Sequence, residues 1–467
     1  MNFLLGYLVF LPAILAGGLL VHQLWGGNQP ARLLFKFGLG AGLGLGMTSL
    51  VTFILLLTTN TISGFFPVQL LLLGCGLALT WHNWKTSPLL PVKFALTREQ
   101  KILLSAFGLI LLVMLSAYIL YALMTPSGRF DAWMIYNRAA RFIYRDPPNW
   151  RDLLSSEMYW LFHADYPLLI PVNVAGAWNT LGGEIMRAPQ AQSAYFLLGI
   201  FCILMGAIAS LRSTGQSLLA GIALLSMPVF FYTAAREEAD LTVAFFMLAA
   251  LALLFFYNRE RTAVLAVLAG LCAGLAGWTK NEGLLFLLTG SFAWMLTFHQ
   301  QRQWQDMKWY LLGLALPLAV ILYFKLFLAP PNDLFEQSSS AGLGEKLTNL
   351  ERYRVIAESF FKQIFAFGNG KVSILLLAVY GLIVGMDRTQ NKGQPIPAAA
   401  SAILLQLTGY FLIYVITPHD IHWHLNTSLY RLMIHVFPSM LFVFFVSIAG
   451  PETILAISPN PSISRRF

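Results

Sequence analysis

Charge is scarce in this chain. Only 11% of its 467 residues are Asp, Glu, Lys or Arg, against about 25% in a typical soluble domain. That shortage excludes a conventional soluble fold. Cysteine is also rare: Cys75, Cys202 and Cys272 are unclustered and each lies inside an apolar run. They read as small packing residues rather than as a disulfide or metal set. No Lys or Arg precedes Arg32, so the first apolar run lacks the basic start of a secretory signal and reads as a retained span. The formal charge of +9 suggests polyanion binding, but no basic stripe interleaved with aromatics occurs outside the apolar runs, which argues against nucleic acid. No internal repeat or low-complexity tract is evident.

What the chain does have is hydrophobicity, at 57% of residues. Apolar runs of about 17–23 residues separate polar clusters, the length needed to cross a bilayer. They predict an all-α polytopic membrane protein with about thirteen spans, near 3–21, 33–57, 65–81, 101–124, 190–210, 216–233, 240–257, 262–279, 283–298, 309–328, 371–386, 397–417 and 431–449. The span 283–298 is the shortest, and 262–279 is its candidate partner in a re-entrant pair. One set of short loops and termini carries fifteen basic residues, among them Arg32, Lys36, Lys85, Lys93, Arg212, Arg259, Arg302, Arg388 and Arg465; the other set carries only Arg236, Lys280 and Arg431. The positive-inside rule then places the C-terminus in the cytoplasm and the long loops 125–189 and 329–370 outside. Residues 1–100 read as a three-helix bundle with a cytoplasmic linker, and 101–467 as the main body.

Five polar clusters fall on the predicted outer face. The first is Phe130-Asp131-Ala132-Trp133, followed by an amphipathic run to Tyr144 that reads as a helix on the membrane surface. On it Arg138 and Arg141 share a face. Asp131 alone is equally a helix N-cap. The second is His163-Ala-Asp165-Tyr166-Pro167, continuing to Pro171; the prolines favour extended backbone before them, so this is a stiff loop whose His163 and Asp165 are ligands or merely solvated. The third is Arg236-Glu237-Glu238-Ala239-Asp240, where acids meet a helix start. Its plain explanation is a helix-dipole effect with a local ion pair. The fourth is Trp278-Thr279-Lys280-Asn281-Glu282-Gly283, a tight turn with a Lys and a Glu at membrane depth. An ammonium there suits a phosphate, or snorkels toward lipid head groups. The fifth, His419-Asp420-Ile-His422-Trp-His424, leads to Arg431, with His435 one turn later on the same face. Its histidines resemble a metal set only weakly.

In these residues the sequence resembles the GT-C superfamily of membrane glycosyltransferases. The likeness is to family 39-like members related to protein O-mannosyltransferases and lipid A aminoarabinose transferases, over about Lys101 to Ala449. The family's first-loop Asp matches Asp131, and the stretches Asn137-Arg-Ala-Ala-Arg141 and Asp165-Tyr-Pro-Leu-Leu-Ile-Pro171 resemble a bacterial branch. Its second-loop acid resembles Glu237-Glu238-Ala-Asp240, its Thr-Lys turn Thr279-Lys280, and its Arg-x6-Pro pattern Arg431 to Pro438. Many relatives carry Asp-Glu where this chain has Asp131-Ala132, a departure that bears on acceptor choice and metal geometry.

The resemblance implies a GT-C-like fold with outer loops and juxtamembrane helices. The implied reaction moves a sugar from a polyprenyl-phosphate carrier to a hydroxyl of a glycan, lipid or protein, with inversion. The expected catalytic residues are Asp131, as base, with Asp240 and Glu237. The expected substrate-binding residues are Arg138, Arg141, His163, Asp165, Tyr166, Lys280, Glu282 and Arg431. No cofactor is fixed by the residues, though a divalent cation, Mg or Mn, on oxygens of Asp131, Asp240 or Glu237 is compatible with them. The expected location is a bacterial inner membrane, with the site facing outside. Two other readings are a lipid-linked oligosaccharide transporter, which needs polar residues along a central path, and a non-catalytic envelope scaffold.

Overall fold

The computed structural model describes residues 2–83, 95–155, 163–332, 340–367 and 371–451. The basic positions Lys85, Lys93, Arg465 and Arg466 lie outside these stretches. Among the described residues the regular structure is helical, with one isolated bridge between Met386 and Ile448 and no strand. In a bilayer this is expected, because a helix satisfies its own backbone hydrogen bonds where no water can.

Nine described helices are long and apolar enough to cross a membrane, or ten if a bent pair counts as one. The thirteen spans expected from the sequence are not confirmed among the described residues. Helices Ala263–Thr279 and Lys371–Val384 have only 17 and 14 residues, about 25 and 21 Å at 1.5 Å per residue, short of a core about 30 Å thick. Helix Asn281–Gln300 begins with Asn-Glu and ends with His-Gln, which dilutes its apolar content. The run expected as 216–233 is Thr214–Leu225 and Val229–Ala235, bent by 63° at their break. Pro228 lies there, and a proline disfavours helical geometry in the residue before it.

Helix Asp240–Glu260 sits at the centre, buried nearly along its whole length. Its apolar character on every face fits a helix enclosed on all sides. One end carries Asp240. At the other, Glu260 pairs with Arg32 and accepts from Trp25 Nε1 at 2.7 Å. Beside that pair Lys36 Nζ donates to the carbonyls of Gly26 and Gly27 at 2.7 and 2.8 Å.

Helices Leu11–Leu24 and Pro30–Thr59 meet through small residues. A Cβ on Gly17 would lie 1.9 Å from the Gly40 carbonyl oxygen, so only glycine permits this approach. Helix Pro30–Thr59 also packs on helix Arg187–Leu211, where a Cβ on Gly38 would fall 2.5 Å from Cys202 Cβ.

The two long loops contain more order than their polarity suggests. Residues 132–145 form a π-helical turn, Ala132–Tyr136, running into helix Asn137–Arg145, close to the surface helix expected from the sequence. After Pro167 comes a buried helix, Leu169–Leu181. It is tied to the first bundle by Asn173 Nδ2 donating to the Leu45 carbonyl at 3.2 Å and by Ser49 Oγ donating to the Leu169 carbonyl at 3.1 Å. Between 340 and 366 two further helices, Ser340–Thr348 and Leu350–Ala366, lie near the end of helix Ile396–Ile416. The guanidinium of Arg352 caps that end, donating to the carbonyls of Tyr414 and Thr417 at 2.9 and 3.0 Å. All these segments gather at the end of the bundle that carries Asp240.

Candidate active site

Asp240 is the first residue of its helix and is fully buried. A lone carboxylate buried this way is costly unless paired and hydrogen-bonded. Here it is heavily partnered. Oδ1 accepts from Lys280 Nζ at 3.0 Å and meets His435 Nε2 at 2.7 Å. Oδ2 accepts from Arg431 Nε and Nη2 at 3.1 and 2.9 Å. Two cations and an imidazole from two other segments therefore converge on one carboxylate.

Each partner is placed by its own local structure. Lys280 is the single extended residue between helices Ala263–Thr279 and Asn281–Gln300. The two helices approach so closely that a Cβ on Gly283 would sit 1.8 Å from the Ala276 carbonyl oxygen, and glycine is required there. Lys280 Nζ also meets Glu282 Oε1 at 3.0 Å and lies 5.8 Å from the centre of the Tyr166 ring. Arg431 and His435 stand one turn apart on helix Ile421–Ser447 and reach Asp240 together. Behind His435, Nδ1 lies 2.9 Å from Tyr410 Oη, which accepts from Gln406 Nε2 at 2.9 Å. The same Gln406 amide donates to the Glu282 carbonyl at 3.0 Å.

Asp131 enters this network through Arg431, whose Nη2 lies 2.5 Å from Asp131 Oδ2. Although Asp131 precedes a helical turn, its side chain accepts no capping hydrogen bond. Its Oδ1 makes no hydrogen bond among the described residues, and the side chain is 15% exposed, against 0% for Asp240. Arg431 Nη1 is likewise outside the hydrogen bonds to the two carboxylates. The site therefore offers one open carboxylate oxygen beside one uncommitted guanidinium nitrogen.

Asp131, Asp240, Lys280, Glu282 and Arg431 come together as expected, with Tyr166 beside Lys280. The other expected residues lie apart from this cluster. Glu237 adopts a left-handed φ of +60° and takes Oε2 to Asn137 Nδ2 at 2.8 Å. Burial pushes its carboxyl up to about 8. Arg141 joins Arg145 on Glu184, at 2.9 and 2.6 Å. Arg138 donates Nε to the Met134 carbonyl at 3.0 Å and lines a small cavity with Tyr136, His163 and Tyr166; His163 and Tyr166 stack at 4.7 Å. Asp165 is buried in a second network: Oδ2 accepts from Asn281 Nδ2 and Asn332 Nδ2 at 2.7 and 2.8 Å. Lys325 Nζ reaches the Asp165 carbonyl at 2.5 Å and Asn281 Oδ1 at 2.7 Å. Asp165 thus braces the turn that carries Lys280.

Sequence reasoning passed over Tyr410, Gln406 and Lys325. The signal for the first two was Gln406 and Tyr410 at i, i+4 on an otherwise apolar helix. For the last it was a lone lysine near the end of a span.

A divalent cation fits poorly on Asp240, because both oxygens already accept from cationic or ring nitrogens and Arg431 lies between Asp240 and Asp131. Among the described residues no three His, Cys, Asp or Glu side chains are grouped to hold a metal ion. Asp420 serves instead as the N-cap of helix Ile421–Ser447, accepting from Trp423 N at 2.8 Å.

Neither a curated protein nor a solved structure matches the chain. Residues 186–324 match the family model described as dolichyl-phosphate-mannose-protein mannosyltransferase. The matched stretch holds Glu237, Asp240, Lys280 and Glu282, while Asp131 and Arg431 lie outside it. This match supports a membrane glycosyltransferase of the GT-C superfamily.

Proposed function

We propose that the protein transfers a sugar from a polyprenyl-phosphate carrier to an acceptor hydroxyl of a glycan, lipid or protein, with inversion, at a site facing the outside of a bacterial inner membrane. The observation that carries this reading is one guanidinium, Arg431, held between Asp131 and Asp240 (Nη2 to Oδ2 at 2.5 and 2.9 Å). In the reaction, Asp131 takes the acceptor proton on Oδ1 as the acceptor oxygen bonds to the anomeric carbon. The bond from that carbon to the phosphate oxygen breaks, and the lipid phosphate leaves with the electron pair.

Charge growing on that oxygen is met by Arg431 Nη1 and the Lys280 ammonium. Preorganised donors of this kind are effective where water is excluded. Asp240 holds both cations in place and, with no free oxygen, does not act as a base. Glu282 balances Lys280, and Asp165, Asn281 and Lys325 brace the turn beneath it. No step here requires a metal ion.

The test is transfer of radiolabelled sugar from a synthetic polyprenyl-phosphate sugar by purified protein in nanodiscs. Transfer with a water-soluble nucleotide sugar alone would overturn the donor assignment.

A further inference from the structure

Beside the turn that carries Asp131 the surface opens into a basin of about 570 Å3. Thr125, Gly128, Arg129, Trp133 and Arg141 are among the residues that line it. Asp131 stands between Arg129 and Trp133 in the chain, and the Trp133 ring is exposed there.

At the edge of this basin two arginines meet on one phenol. Arg129 donates Nε and Nη2 to Tyr121 Oη at 3.2 and 3.0 Å, and Arg236 donates Nε to the same oxygen at 3.2 Å. The backbone builds the pairing. Arg129 N donates to the Arg236 carbonyl at 3.3 Å, and a Cβ on Gly128, whose φ is +71°, would fall 2.6 Å from that carbonyl oxygen. Glycine is needed at Gly128 on both counts. Tyr232 packs on the Tyr121 ring, with centroids 5.2 Å apart.

Like charges gathered this way repel unless something negative joins them. A phenol is neutral, and an oxygen that accepts three N–H groups has its own hydrogen left to donate outward. Among the described residues Arg129 makes no ion pair, and Arg236 approaches only Glu238 Oε1, at 3.9 Å. Burial pushes the Glu238 carboxyl up to about 7, which weakens that pairing. Arg141, on the basin wall, shares Glu184 with Arg145, so that trio is positive as well. Packing an arginine on a tyrosine needs one guanidinium; the second adds repulsion without adding a carboxylate. Guanidinium forks with an O–H donor between them fit an oxyanion. The donor phosphate is met elsewhere, by Arg431 and Lys280, which leaves this site to the other substrate.

We infer that Arg129, Arg236 and Tyr121 form an oxyanion site for the acceptor. The acceptor is then a saccharide carrying a phosphate or carboxylate close to the hydroxyl it offers to Asp131, with its ring laid on Trp133. The role as acceptor site rests on the sugar-transfer reading, whereas the oxyanion site is measured by binding alone.

The experiment titrates glucose 6-phosphate, glucuronate and glucose into purified protein in phosphatidylcholine nanodiscs, by calorimetry. Both anionic sugars should bind at least tenfold tighter than glucose and be displaced by inorganic phosphate. Their affinity should fall at least tenfold in Arg129→Gln and in Arg236→Gln, and stay as in wild type in Lys280→Met. Arg129 is exposed, so Arg129→Gln carries the test should Arg236→Gln fail to fold. Equal binding of the three sugars overturns the inference. So does binding lost in Lys280→Met but kept in Arg129→Gln, which places the anion on the donor site. Binding abolished by adding phosphatidylglycerol to the discs also overturns it, making this a lipid head-group site. The expected binding pattern in a protein that transfers no sugar from a polyprenyl-phosphate donor upholds the oxyanion site and removes the transfer reading, so the two fail separately.

Discussion

Arg431 reaches Asp131 across 300 positions of sequence, with Nη2 2.5 Å from Oδ2, while the same nitrogen lies 2.9 Å from Asp240. One guanidinium thus couples an open carboxylate to a sealed one. The two acids differ in exposure and in the number of donors they accept, so their roles are separable.

Asp131→Asn keeps the shape and a hydrogen-bond acceptor for Arg431 but removes the base. Transfer should fall about 10²–10⁴-fold, the usual range for general acid–base catalysis. Expression and melting temperature should stay close to wild type. A variant with wild-type turnover would leave Asp131 without a chemical role.

Asp240→Asn should behave differently. It leaves Lys280 and Arg431 buried beside a neutral group, and breaking a buried pair by removing one partner typically costs about 3–5 kcal/mol. The measurable outcome is a large drop in melting temperature and in yield, accompanied by lost activity. Normal stability with lost activity would instead make Asp240 a direct participant in the chemistry.

Glu237 provides a pH signature. Its carboxyl is pushed up to about 8 by burial, whereas in the unfolded chain it sits near 4.3. Between these values the folded state holds the extra proton, so stability should fall as pH rises from about 5 to 8. Glu237→Gln should lack that slope. Melting curves across this range in both proteins check it; parallel slopes would show that Glu237 titrates normally.

Orientation is tested by labelling. In a Cys75→Ser background, a cysteine at the exposed Asn149 should react with a membrane-impermeant reagent in intact cells. Cysteines at Gln303 or Gln390 should react only after permeabilisation. The reverse pattern would put Asp131 and Arg431 in the cytoplasm.

The membrane class and much of the site were legible because both rest on strong local signals. Apolar runs too long and too uncharged for a soluble protein define helices, and an ionisable residue at a membrane helix end has few structural uses. Asp131, Asp240, Lys280 and Arg431 stood out on that ground. The partners of each were not legible. Nothing in Arg431's neighbourhood along the chain identifies Asp131 as its contact, and although Asp240 is the best match to the family's second acid, only the left-handed backbone of Glu237 shows how that side chain is turned away to Asn137. Helix Leu169–Leu181 was hidden because 13 residues between prolines and glycines look like loop. The count of about thirteen spans is not confirmed where helices are short or kinked, since length and composition alone do not say how a 17-residue apolar helix is accommodated.

The most direct test of the central claim is donor use by Arg431 and Lys280 variants. Purified wild type, Arg431→Met, Arg431→Lys and Lys280→Met are compared for transfer of radiolabelled sugar from a synthetic polyprenyl-phosphate donor. Each Met variant should lose about tenfold or more in kcat/KM, as expected for a charge-assisted phosphate contact of about 1.5–3 kcal/mol. Arg431→Lys should recover little, because an ammonium cannot bridge two carboxylates and a phosphate as a planar guanidinium does. Equal rates in all four proteins would contradict the account.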